Sequence, residues 1–132
     1  MAFRLPAEFT ESQREPGARK FLRHGDFQQY VLAGFIESST PVVAMGRAPH
    51  AGMKEMTVCV DSVGGREVLV QAWRTVNGTF REGRRLDRYD VFAVVAIHPE
   101  LRFYFASGSY DPHTQTVALA AVRTIAIGGA PD

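Results

Sequence analysis

Thr57-Val58-Cys59-Val60-Asp61-Ser62-Val63-Gly64-Gly65-Arg66-Glu67-Val68-Leu69-Val70-Gln71-Ala72-Trp73 is the stretch on which the fold turns. β-Branched residues fill both flanks, and Gly64-Gly65 accepts the positive φ angles of a two-residue hairpin turn. Met56 to Val63 and Arg66 to Val76 are therefore expected to be two antiparallel strands joined at that dipeptide.

Upstream, Phe27, Tyr30, Val31, Gly34 and Phe35 recur at i, i+3, i+4, i+7 and i+8, the stripe of an amphipathic helix. The spacing predicts a helix over Gly25 to Glu37, ended by Ser38, Ser39 and Pro41. Pro41 to Met45 reads as a short strand, and Gly46 to Glu55 as a loop. Residues 1–17 carry Pro6, Pro16 and Gly17 without steady periodicity and read as a poorly ordered arm before a single domain over 18–132.

Downstream, Asn77 to Asp90 is a polar, arginine-rich connection. Val91 to Ile97 is a nearly continuous apolar run, as in a strand covered on both faces. His98-Pro99-Glu100 turns the chain so that Leu101 to Ala106 pairs back. Asp111-Pro112 has the form of a helix start, an Asp cap with Pro in the first turn, and Thr116 to Ile127 fits either that helix or a last strand. The expected class is α/β (α+β): one mixed sheet around a central antiparallel hairpin, flanked by an N-terminal helix and, if the tail is helical, by a C-terminal one.

Composition narrows the function. The 132 residues suit one domain with one core. Lys plus Arg is 15 against 14 for Asp plus Glu, so nucleic acid would have to be met through a local patch. Cys59 is the single cysteine, which excludes an intramolecular disulfide or a thiolate metal cluster and fits a reducing cytoplasm. Between Val58 and Val60 it reads as a buried structural thiol. There is no apolar run of membrane-spanning length and no secretory h-region in Met1 to Phe9, so the expectation is a cytoplasmic protein. His24, His50, His98 and His113 show no i, i+4 pairing of the kind zinc sites use.

From Gly25 to about Ala106 the chain resembles the PD-(D/E)XK nuclease superfamily, in particular its resolvase-like and intron-endonuclease-like members. Three strings carry the likeness: Gly25-Asp26-Phe27-Gln28-Gln29-Tyr30-Val31, the hairpin quoted above, and Tyr89-Asp90-Val91-Phe92-Ala93-Val94-Val95. The resemblance implies a metal site on the hairpin, where family members place an acid, a Glu or Gln, and a Lys two residues on. Here those positions hold Thr57, Gln71 and Trp73, and the accessory helix Glu aligns with Gln29. With no carboxylate in that set, Mg²⁺ would shed hydration for nothing in return, and the site should be dead.

The leading expectation is thus a catalytically degenerate nuclease-fold domain, without cofactor or metal, retained to bind DNA or a protein partner. DNA contact would fall to Arg81, Arg84, Arg85 and Arg88, in a connection where Arg74 brings the arginines to five against Glu82 and Asp87. Arg14, Arg19, Lys20 and Arg23 could extend that patch. One alternative is an active Mg²⁺-dependent endonuclease using the displaced acids Asp61 and Asp90. Another is a protein–protein or self-association module built on an exposed sheet edge and Trp73.

Overall fold

The computed structural model describes residues 3–15, 17–63 and 66–125. Seven strands follow in chain order: β1 (Phe9–Glu15), β2 (Ala18–Arg23), β3 (Asp26–Glu37), β4 (Met53–Val63), β5 (Arg66–Arg81), β6 (Arg84–His98) and β7 (Leu101–Ser109). A 3-10 turn (Val42–Met45) lies between β3 and β4, and one helix, α1 (Pro112–Val122), follows β7 as the last element of the described residues. The strands form one open sheet in the order β1-β2-β3-β7-β6-β5-β4, and every pairing is antiparallel. The fold is therefore mostly β. The mixed α/β sheet with an N-terminal helix is overturned.

The correction turns on residues 25–37, which are β3 rather than a helix. His24 and Gly25 both adopt positive φ, 51° and 70°, the pair of left-handed conformations of a type I′ turn, and so reverse the chain from β2 directly into β3. Along β3 burial follows period two through Gln29, Val31 and Ala33. Tyr30 and Leu32 face the other side of the sheet and are also partly covered, so apolar residues fall on both faces and the alternation is masked. Phe27 and Phe35, two members of the supposed helical stripe, are exposed.

Glu82 (φ 51°) and Gly83 (φ 77°) make a second turn of the same kind, which carries β5 and β6 far into the expected polar connection. Phe9–Glu15, within the segment expected to be an arm, is β1. Pro41 to Met45, expected as a strand, is the 3-10 turn, and it seats the fully buried Val42 on Leu69 and Phe92. The hairpin strands β4 and β5 do pair, from Val63↔Arg66 through Thr57↔Ala72, while the turn residues Gly64 and Gly65 lie outside the described residues. That hairpin is not central: β4 is a sheet edge.

Two cores sandwich the sheet. On one face α1 and residues 3–5 cover Val31, Val91, Ala93, Phe103 and Phe105. The helix presents Thr114, Ala118 and Ala121, side chains small enough to let it sit close to β6 and β7. As its Asp-Pro start suggested, Asp111 caps it by accepting from the His113 amide at 2.9 Å. On the opposite face the 3-10 turn covers Leu69, Trp73, Phe92 and Val94.

A polar network ties α1 to the β2–β3 turn. Arg23 donates to Asp111 (2.7 Å), Gln29 (3.1 Å) and Thr114 (2.9 Å). The Tyr110 hydroxyl donates to Asp26 at 2.8 Å, and Arg81 pairs with Asp26 at 3.0 Å. Gln28 also donates to the Phe80 carbonyl at 2.8 Å, although β7 and β6 separate β3 from β5, so the sheet curls enough for the two hairpin tips to meet.

Acid should undo this tie. Partial burial pushes Asp26 up, but the Gln28 amide, Tyr110, Gln29 and Arg81 outweigh it and leave the carboxyl below the ordinary range. Burial likewise opposes, without overcoming, the His113 amide and Arg23 at Asp111. A depressed folded pKa gives stability that is present above the unfolded value, about 3.9, and is lost as pH falls through the folded one. The thermal midpoint should accordingly drop below about pH 4. In Asp26→Asn/Asp111→Asn the midpoint should start lower at neutral pH and fall less steeply; an unchanged acid slope would show that the network contributes nothing.

Candidate functional site

Four residues on four adjacent strands form a row across the sheet: Tyr30 on β3, Gly108 on β7, Asp90 on β6 and Trp73 on β5. All lie on the face opposite α1. Arg88, two residues before Asp90 and so on the same face, reaches along the row. Its Nε donates to both Asp90 oxygens, at 3.0 and 3.2 Å, and one terminal nitrogen donates to the Tyr30 hydroxyl at 2.9 Å. Gly108 makes room for that reach: a Cβ there would stand 2.7 Å from the Arg88 guanidinium and 2.9 Å from the Tyr30 ring.

Above the row lies a cavity of about 540 Å³, lined by Tyr30, Trp73, Arg88, Asp90 and Phe92 with Arg47 and His50 from the loop before β4. Gln71 fixes that loop. Its carbonyl accepts from the Arg47 amide at 2.7 Å and its amide donates to the Arg47 carbonyl at 3.2 Å. The Arg47 guanidinium stacks over the Phe92 ring, 4.9 Å from the centroid. His50 contacts the Thr75 hydroxyl at 3.4 Å.

The electrostatics are unequal. Burial raises the Asp90 carboxyl above the ordinary range, while Arg88, His50 and Arg47 draw it back. At Arg88 partial burial disfavours the charge, yet Asp90 and Tyr30 overcome it and the guanidinium stays protonated. One carboxylate thus faces two guanidiniums, and no ion pair engages Arg47 among the described residues. The lining suits a ligand that brings a negative charge.

The positions aligned with the nuclease motif do not converge. Gln71 and Trp73 face the cavity side, whereas Thr57, opposite Ala72, faces the α1 side, as does Gln29. Gln29 is bonded into the Arg23–Thr114 network. Asp61 is exposed on β4 opposite Val68, on the other face from Asp90, and its carboxylate accepts from the Ser62 amide. Among the described residues no group of three or more His, Cys, Asp or Glu is placed to hold a metal. Cys59 is exposed rather than buried, because α1 packs over β6 and β7 and β4 lies at the sheet edge beyond them.

Nor do the four arginines form one patch. Arg81 is held by Asp26 and Gln28 and stacks on Tyr110, and Arg88 belongs to the cavity. Only Arg84 and Arg85, beside the β5–β6 turn, are exposed without an ion pair among the described residues. Of the other cations, Arg19 pairs with Glu11, Lys20 lies over the Tyr30 ring, and the side chain of Arg14 is outside the described residues. Arg47 was not singled out from the sequence, Tyr30 was placed only on the supposed helical stripe, and His50 was set aside as a zinc ligand. The usable signal was the spacing of Arg88, Asp90 and Phe92, which shares one strand face once β6 is extended back to Arg84.

No protein-family model matches the chain, and no curated protein matches its sequence. No helix among the described residues is long and apolar enough to cross a membrane.

Proposed function

We propose that the protein binds a small, flat organic anion in the cavity over the Tyr30–Gly108–Asp90–Trp73 row. The observation that carries this reading is Arg88, immobilised by Asp90 and Tyr30 at the wall of a cavity whose floor is aromatic. Its guanidinium is pre-organised, so little side-chain freedom is lost when an anion arrives. Trp73 and Phe92 supply apolar ring surface, and Arg47, over the Phe92 ring, adds a second guanidinium to the lining. A cavity of about 540 Å³ is within the size range of small-molecule sites. The nucleic-acid expectation has less support, since two of its four arginines are held by partners within the fold.

Trp73 is the single tryptophan and lines the cavity, so its fluorescence reports occupancy directly. Benzoate and 2-naphthoate are expected to change that fluorescence saturably. Benzyl alcohol, of similar shape and no charge, should bind about tenfold more weakly or worse, the difference of one charge-assisted hydrogen bond. Equal binding of the alcohol and the acid, or no saturable response to any of them, would reject the proposal.

A further inference from the structure

The two edges of the sheet are built differently. β1 is seven residues long, carries a bulge between Glu11 and Gln13, and has Phe9 as its single apolar residue in sequence. Those are the devices by which edge strands avoid unintended pairing. β4 runs for eleven residues and pairs only with β5. Its bulge sits at one end, at Glu55 (φ 55°), and from Met56 to Val60 it has no charge, proline or glycine. Val58 and Val60 are 55% and 54% exposed on one face, and Thr57 and Cys59 are exposed on the other.

We infer that β4 is a self-association edge, pairing antiparallel with β4 of a second copy about a two-fold axis at Val58. The charges choose this occupant and this direction. Glu55 is engaged by Arg74 at 3.2 Å, which leaves Lys54 at one end of the strand and Asp61 at the other. Because the bulge at Glu55 adds one residue, Lys54 ranks in the ladder where an unbulged strand would carry residue 55. Centring the pair on Val58 then sets Lys54 opposite the second copy's Asp61, and by symmetry Asp61 opposite its Lys54. In the same register Met56 meets Val60, Thr57 meets Cys59, and Val58 meets itself. A parallel arrangement would instead set Lys54 against Lys54. Trp73, buried on β5, takes no part.

Analytical ultracentrifugation of the full chain should give a dimer that dissociates on dilution. Val58→Lys places two like charges together at the axis and should shift the protein to monomer; its thermal midpoint should match that of the parent at a dilution where the parent is itself monomeric, the side chain being exposed. Asp61→Lys should weaken the dimer at least tenfold, and Lys54→Asp/Asp61→Lys should restore it. Thr57→Cys should form an intermolecular disulfide with Cys59 on mild oxidation. A monomer at every concentration, or a dimer indifferent to both Val58→Lys and Asp61→Lys, would overturn the inference. So would a charge swap that fails to restore what the single reversal loses.

Discussion

Phe105→Ala is expected to lower the free energy of unfolding by about 3–5 kcal/mol, the range for deleting a fully buried aromatic ring. Phe105 lies on β7, inside the sheet, beneath α1 and edge-on to Phe3 with centroids 5.4 Å apart. Four separate parts of the chain close over it: β3 and β6 on either side, the helix above, and residues 3–5 at the flank. Little can collapse into the space because the neighbours are held by ladders on both sides. Against a total of about 5–15 kcal/mol for a domain, such a loss should bring the protein near its unfolding threshold at room temperature. Urea unfolding checks it. Phe80→Ala on an exposed hairpin tip is the comparison and should cost well under about 1 kcal/mol.

Where side-chain period and turn chemistry agreed, the strands were legible. The β4–β5 flanks, the apolar run of β6, the reversal at Pro99 and the Asp111-Pro112 helix start were all in that class. Residues 25–37 misled because both faces of β3 are covered, and a strand covered on both faces shows no alternation. The dipeptides that settle the matter are His24-Gly25 and Glu82-Gly83. A histidine or a glutamate is an uncommon first residue for a left-handed turn, so neither pair stood out as Gly64-Gly65 did. Missing the second turn cost more than a boundary, since it left Arg88 in a loop and hid its place beside Asp90. The remaining parts of the site come from distant sequence. Gly108 matters through the absence of a side chain, and Arg47 through a backbone clasped by Gln71, and neither is written in a local pattern.

Arg88→Met should show whether the cavity is a binding site or only a well-satisfied polar patch. Removing the guanidinium strands Asp90, which is buried, and the folded state then loses the partner that offsets its desolvation. Loss of one member of a fully buried pair costs about 3–5 kcal/mol, but the Arg88 side chain is 38% exposed, so about 2–3 kcal/mol is expected. Neutralising the stranded acid in Arg88→Met/Asp90→Asn should recover most of that stability. Binding should behave otherwise. Benzoate and 2-naphthoate should bind about 10–100-fold more weakly to the single variant, the worth of a charge-assisted contact. The double variant should remain as weak, because stability has been repaired and the cation has not. Arg84→Ala, outside the cavity, should leave both measurements as they were. If the double variant regained benzoate binding together with its stability, Arg88 would be a structural partner of Asp90 and nothing more, and the anion would have to be held by Arg47 alone.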